Sequence, residues 1–234
     1  TNLAARAVAA LASATGEDPG VALVLRKGIP VAGGMAGGSA DAAAALVACD
    51  ALWGVGLSRD DLAAVAADIG SDVPFLVYGG TVLGTGRGEV VSPILARPHT
   101  WHWVVAIADG GLATPQVYQE LDRLRRMPWA PEPVGSADAL MTALRQRDPR
   151  VLAAALANDL QPAALSLRPA LADVLKAGHA AGALAGLVSG SGPTCVFLTR
   201  DAAHAQDVAD ELVDAGVCRD ARTARGPVPG ARVI

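Results

Sequence analysis

The sequence predicts an α+β fold, in which strands and helices mix without the regular alternation of a parallel α/β sheet. Apolar residues make up 52% of the 234 residues, enough to bury a core. Only 3% of the residues are aromatic, so we expect that core to consist mainly of Ala, Val and Leu. Short β-branched runs bounded by glycine or proline predict strands, whereas longer alanine-rich runs without a breaker predict helices.

The first predicted elements are a helix over residues 2–15, a turn at 16–20 and a strand over 21–27. The strand prediction rests on an apolar, partly β-branched run. After a glycine-rich segment, alanines continue without a breaker as far as Gly54. They predict a long helix that ends near Trp53 and has Ser39 near its N-cap.

Paired glycines separate this strand from this helix. We call residues 30–40 the glycine loop; they are Pro30, Val31, Ala32, Gly33, Gly34, Met35, Ala36, Gly37, Gly38, Ser39 and Ala40. The first N–H groups of a helix have no internal partners, and the macrodipole adds partial positive charge at that end. Glycines let a phosphate group approach the main chain closely. The loop therefore predicts a site that holds a nucleotide triphosphate largely through backbone N–H groups.

Other types of phosphate loop fit this segment less well. No lysine follows the glycines, as a Walker A loop requires, and the Gly-x-Gly-x-x-Gly spacing of a Rossmann fold is absent. The alternative is a glycine-rich turn that binds no ligand.

The next stretch predicts a helix, a tight turn and a hairpin. Ser58 would cap a helix over 62–69, because acidic residues fill its first turn. In the following turn, over residues 70–75, we expect Pro74 to hold Val73 extended. Asp72 lies in this turn, as either a catalytic carboxylate or a turn former that bonds its own backbone. Residues 79–91 predict a β-hairpin.

The proline-flanked segment 93–98 predicts a boundary between domains 1–97 and 98–234. The second domain would begin with a strand over 101–108. Thr114-Pro115 would start a helix that carries Tyr118. Further helices are predicted over 136–146, 149–157, 168–181 and 201–215, with strands on both sides of residues 189–194 and a last edge strand over 219–225.

Charge and composition exclude several classes of function. A net charge of −4 and a pI near 5.5 argue against binding to nucleic acid. The cysteines and histidines show neither disulfide nor metal-ligand spacing, which predicts no metal site built from side chains and suits a reducing cytoplasm. No apolar run reaches membrane-spanning length. We therefore expect a cytoplasmic monomer or homodimer.

Three segments resemble, in order, motifs of the GHMP kinases, which include galactokinase and the homoserine, mevalonate and phosphomevalonate kinases. They are the glycine loop, the turn at 70–75 and the segment 189–194. The resemblance covers the whole chain and implies two domains with the active site in the cleft between them. It implies that the glycine loop binds the phosphates of ATP, that Mg²⁺ is required, and that Asp72 is the catalytic carboxylate.

The Gly-x-Asp-Val-Pro-Phe turn is most similar to members that phosphorylate a cytidyl-linked sugar alcohol in the non-mevalonate isoprenoid pathway. That resemblance implies that Tyr118 stacks on the cytosine; an ordinary half-buried tyrosine is the alternative. It also implies that Ser189, Gly190, Ser191 and Gly192 border the substrate. One alternative hypothesis is another GHMP kinase, which would act on mevalonate, homoserine or a sugar. Two others are a non-catalytic nucleotide-binding module and a structural protein with glycine turns.

The chain departs from the family pattern in two ways. Ala36 and Ala40 stand where glycine and a second serine are common, and a lost hydroxyl costs on the order of 1 kcal/mol. The family's first motif, a strand with a lysine that pairs with the catalytic aspartate, would lie before Asn2. Neither Lys27 nor Lys176 occupies a matching position. We therefore expect a segment that precedes this sequence.

Overall fold

The computed structural model describes residues 2–30, 33–86, 88–94, 98–130, 132–134 and 137–234. The chain forms two compact units, each assembled from separate stretches of sequence. The first comprises Thr1–Gly28, Ala36–Leu95 and Pro227–Ile234, and the second comprises Ile29–Met35 and Ala96–Gly226. The predicted boundary after residue 97 adjoins residues 95–97, which lie outside the described residues, so it stays a prediction.

The first unit is mainly helical. Its elements are α1 (Leu3–Thr15), α2 (Gly37–Trp53), α3 (Arg59–Ala67), α4 (Val73–Tyr78), β1 (Val82–Thr85) and β2 (Val90–Pro93). Asn2 caps α1 by accepting a hydrogen bond from the N–H of Ala4 at 2.8 Å. Ser58 caps α3 as predicted, accepting from the N–H of Asp61 at 3.1 Å. Buried alanines let α1 and α2 pack closely, around Leu11 and Leu46.

Two predictions for this unit were wrong. Residues 21–27 form no strand, because a strand requires a neighbour to pair with and none of the described strands pairs with this run. Most of its side chains are exposed to solvent instead, and Val24 is 84% exposed. Val73 is not extended but begins α4, since Pro74 in the first turn suits a helix start and outweighs the preference it imposes on Val73.

The second unit contains an antiparallel sheet covered by helices. The strands are β3 (Trp101–Ile107), β4 (Ala185–Val188), β5 (Cys195–Thr199) and β6 (Asp220–Gly226), in the order β4-β5-β3-β6. The helices are α5 (Thr114–Leu124), α6 (Ala137–Gln146), α7 (Pro149–Ala155), α8 (Gln161–Leu167), α9 (Ala170–Ala180) and α10 (Ala202–Asp214). Strand β6 lies at the sheet edge, as predicted, whereas α8 was not predicted.

Phe197 on β5 lies at the centre of the second core and is fully buried. Its ring packs against the bare Cα atoms of Gly178 and Gly186, where an added Cβ would lie 2.5 Å and 2.6 Å from ring atoms. A core poor in aromatics thus accommodates one large ring by placing glycines on both α9 and β4.

No helix among the described residues is long and apolar enough to cross a membrane.

Candidate active site

The start of α2 carries exposed hydrogen-bonding capacity. The helix begins at Gly37, and its N-cap, Ala36, has a left-handed φ of 49° and makes no side-chain bond to the first turn. Ser39 is the third residue of the helix rather than the cap, and it is buried. No side chain therefore caps the first N–H groups of α2, so they can bind an anion.

Lys27 adds positive charge at the same helix start. Its ammonium donates to the carbonyl of Gly37 at 3.0 Å and forms an ion pair with Asp41. These contacts were not predicted from the sequence, where Lys27 was compared only with the family's catalytic lysine. A lysine and an aspartate separated by 14 positions carry no periodic signal that predicts their pairing.

The middle of the glycine loop belongs to the second unit, where the structure brings it against the segment 189–194. Gly34 has a φ of 73°, and an added Cβ there would lie 2.7 Å from the carbonyl oxygen of Gly192. The hydroxyl of Ser189 donates to the carbonyl of Gly34 at 2.9 Å. Gly33 is buried beside Thr194. Two segments singled out from sequence are thus in direct contact, although Val31 and Ala32 lie outside the described residues.

Asn158 fixes the segment 189–194 from its other side. Its side-chain amide donates to the carbonyls of Val188 at 2.7 Å and of Gly190 at 2.8 Å. The side-chain oxygen of Gln161 accepts from the N–H of Val188 at 2.9 Å. Neither residue was predicted from the sequence: Gln161 is the first residue of α8, which was itself not predicted, and Asn158 lies just before that helix.

The helix that carries Tyr118, α5, is hydrogen-bonded to the same segment. The hydroxyls of Thr114, at the start of α5, and Ser191 are 2.9 Å apart. Tyr118 follows Thr114 by one helical turn and is 54% exposed. Its ring is therefore available for stacking, and Thr114 links its helix to Ser191.

Asp72 occupies the N-cap position of α4 and is exposed, and its carboxylate makes no capping bond. Helix α4 packs against α2, so the elements that carry Asp72 and Ser39 are neighbours in the first unit. In the described part of the chain, no three His, Cys, Asp or Glu side chains cluster in a way that could hold a metal ion. A carboxylate unused by the fold can serve as a proton acceptor.

Known families and proteins match this chain over most of its length. The family model for the GHMP kinases N terminal domain matches residues 2–80, and the model for GHMP kinases C terminal matches residues 140–218. The 4-diphosphocytidyl-2-C-methyl-D-erythritol kinase of Salinispora arenicola is 71% identical over 233 residues, covering 100% of this chain and 74% of that protein. The kinase of the same name from Thermobifida fusca is 59% identical over 234 residues, covering 100% and 75%.

Solved structures show the same fold. A crystal structure of 4-(cytidine 5'-diphospho)-2C-methyl-D-erythritol kinase superposes with a TM-score of 0.76 at 32% identity, covering 96% of this chain and 77% of that one. Homoserine kinase from Cytophaga hutchinsonii also superposes with a TM-score of 0.76, at 20% identity and with 98% and 77% coverage, and supports the fold alone. The predicted α+β fold and family resemblance are confirmed, and the chain belongs to the GHMP kinase family.

Proposed function

We propose that this chain transfers the γ-phosphoryl group of ATP to a hydroxyl of 4-diphosphocytidyl-2-C-methyl-D-erythritol, a step of the non-mevalonate isoprenoid pathway. One observation carries the proposal: 71% identity to a kinase of that name extends over the whole chain, and so includes the glycine loop, the turn at 70–75 and the segment 189–194. We also propose that the protein is cytoplasmic and acts as a monomer or homodimer.

In this proposal the glycine loop binds the triphosphate of ATP. The uncapped N–H groups at the start of α2 would donate to phosphate oxygens, and the ion pair of Lys27 with Asp41 would lie beside them. The contact of Gly34 with Ser189 supports this role, because it holds the middle of the loop in one conformation.

Mg²⁺ would be held largely by the phosphates, by water and by at most a few protein oxygens, such as the hydroxyl of Ser39. When bound, Mg²⁺ neutralises negative charge on the phosphates during transfer.

Asp72 would act on the acceptor. The substrate hydroxyl oxygen forms a bond to the γ-phosphorus, the bond from that phosphorus to the β,γ-bridging oxygen breaks, and ADP leaves. Asp72 accepts the proton that the hydroxyl loses. Its exposed carboxylate, which the helix cap does not use, supports this assignment.

The cytidyl end of the substrate would be bound in the second unit. Tyr118 offers an exposed ring on which cytosine can stack, and the bond between Thr114 and Ser191 holds its helix next to the segment 189–192. Ser189, Gly190, Ser191 and Gly192 would border the rest of the substrate.

The test is ATP-dependent phosphorylation by the full-length protein, with mevalonate, homoserine and galactose as competing acceptors. We expect phosphorylation of 4-diphosphocytidyl-2-C-methyl-D-erythritol alone. Asp72→Asn should lower kcat by about 100-fold or more, because general base catalysis contributes that much. Asp207→Asn, an exposed aspartate on α10, is the matched control and should behave as wild type. Preferential phosphorylation of another acceptor would show that the proposed substrate is wrong. An active Asp72→Asn variant would show that Asp72 is not the catalytic base.

A further inference from the structure

We infer that the β1–β2 hairpin positions the turn that carries Asp72, and that Gly84 in β1 is the positioning residue. The inference rests on the proposed function, since it gives the hairpin a role in the reaction assigned to Asp72. From the sequence, residues 79–91 predict a β-hairpin without any role in the reaction. The structure shows that the hairpin packs against Phe75, which follows the aspartate, and lies beside Ser71, which precedes it.

The turn needs support from outside itself. Helix α4 has six residues, and a helix of that length is marginal without tertiary packing. Asp72 makes no capping bond that would fix its own carboxylate, and Val73 and Val77 anchor only the core side of the helix. The orientation of the exposed end of α4 must therefore depend on other contacts.

The first contact is between Phe75 and Gly84. A Cβ added at residue 84 would lie 3.1 Å from Cε2 of Phe75, closer still to Cζ, and 3.2 Å from the carbonyl oxygen of Gly88. The ring thus occupies the space that a side chain at residue 84 would need. Phe75 follows Asp72 by three residues, which places it one turn along the same short helix. Moving the ring would therefore tilt the end of α4 at which Asp72 lies.

The hairpin also approaches the turn on the other side of Asp72. A Cβ added at Gly88 would be 3.7 Å from Cβ of Ser71, so Gly88 lies beside the residue that precedes the aspartate. Glu89 and residues 67–71 line a cavity of about 310 Å³ beside this contact. Among the described residues, β1 and β2 pair only with each other, and an isolated hairpin is marginally stable. The hairpin and the turn therefore stabilise each other.

A double-mutant cycle on Gly84 and Phe75 tests this inference in the full-length protein. Gly84→Ala should displace the ring, and Phe75→Leu should leave a gap above Gly84. Each should lower kcat by about tenfold or more, because small misplacements of catalytic groups are costly. Each should leave the KM for ATP within about twofold, since the uncapped N–H groups lie on α2. The double variant should recover most of the lost kcat, because the added methyl group fills the gap left by the shorter side chain.

Gly226→Ala is the matched control, because an added Cβ there would have no neighbour within 4 Å. It should keep wild-type kcat. If Gly84→Ala does not fold, Phe75→Leu and the double variant still form the decisive pair. The inference would be overturned if the kcat loss of the double variant equalled the product of the two single losses. It would also be overturned if the kcat losses simply followed the losses in melting temperature. Asp72→Asn is measured in parallel: an active Asp72→Asn variant rejects the proposed catalytic role, whereas an inactive one with a multiplicative cycle rejects the hairpin role only.

Discussion

Gly34 has a left-handed backbone conformation and lies against other backbone atoms. A residue with a side chain would therefore be strained at this position and would collide with those atoms. At a φ of 73°, an added Cβ would lie 2.7 Å and 2.9 Å from the carbonyl oxygen and the nitrogen of Gly192. These are backbone atoms, which cannot swing away as a flexible side chain can. We expect Gly34→Ala to destabilise the protein by about 1–3 kcal/mol and to weaken ATP binding by about tenfold or more, as a phosphate-binding loop would shift. Calorimetric titration with a non-hydrolysable ATP analogue measures the affinity, and unchanged affinity would contradict the prediction.

Glu120 should make the stability of the second unit depend on acid pH. Hydrogen bonds from Arg123 and Ser166 lower its pKa from 4.5 to about 2. Between these values the unfolded chain binds more protons than the folded chain, so stability is present above about pH 4.5 and is lost as the pH falls towards about 2. Glu120→Gln should remove this component. Melting temperatures measured across the interval should fall less steeply in the variant, and identical slopes would contradict the assignment.

The residues of the candidate site differ in how far sequence could predict them. Some of them lie in local motifs that can be recognised from the spacing of residues along the chain, namely Asp72, Gly34 and Ser189. Lys27 and Asn158 act through contacts with distant segments, at Gly37 and Gly190. Such contacts depend on how the elements pack, which a local pattern does not record.

Helix α9 shows that packing can reverse an intrinsic helix preference. Gly178 lies within α9, where alanine would ordinarily be favoured by about 1 kcal/mol. An added Cβ, however, would lie 2.5 Å from atoms of the fully buried Phe197 ring. Overpacking costs about 1–3 kcal/mol, so the net effect of Gly178→Ala should be destabilising. Urea denaturation measures the change in the free energy of unfolding. Gly216→Ala is the control for backbone strain alone, because Gly216 has a positive φ and an added Cβ there would have open space around it. A stabilised Gly178→Ala protein would show that the ring moves freely.

At the level of elements, periodicity and caps predicted most helices, whereas the errors came from tertiary context. Helix α2 ends at Trp53, before Gly54, as its uninterrupted alanines indicated. Helix α8 was missed because Gln161-Pro162 gave no periodic run long enough to predict it. The run at 21–27 has strand composition, but composition does not supply the neighbour that a strand requires.

At the scale of the whole chain, the C-terminal tail contributes to the first unit. The N–H of Gly80 donates to the carbonyl of Val228 and the N–H of Ala231 donates to that of Leu76, each at 2.8 Å. Arg59 contacts the carbonyls of Val77 and Ala231. The last stretch of the chain thus returns to the first unit, which is assembled from separate parts of the sequence.

Deleting residues 227–234 should therefore destabilise the first unit although the tail is remote from it in sequence. Each lost hydrogen bond contributes about 0.5–1.5 kcal/mol, so a loss of about 1–3 kcal/mol is expected. Deleting residues 232–234 is the control, because Val233 and Ile234 are exposed and these contacts end at Ala231. Guanidinium denaturation compares the two truncations, and equal stabilities would contradict a structural role for the tail.

Residues 21–25 form an apolar run that pairs with none of the described strands, and this run bears on how the polypeptide behaves in concentrated solution. Val24 is 84% exposed, and Leu23 and Leu25 are 38% and 36% exposed. Exposed β-branched and leucine side chains on a run outside the described sheets can serve as a template for strand pairing between chains. Val24→Lys should suppress such self-association by charge repulsion, visible as reduced light scattering at equal concentration. Where residues 21–25 stay uncovered, we therefore expect chains to associate as the protein concentration rises.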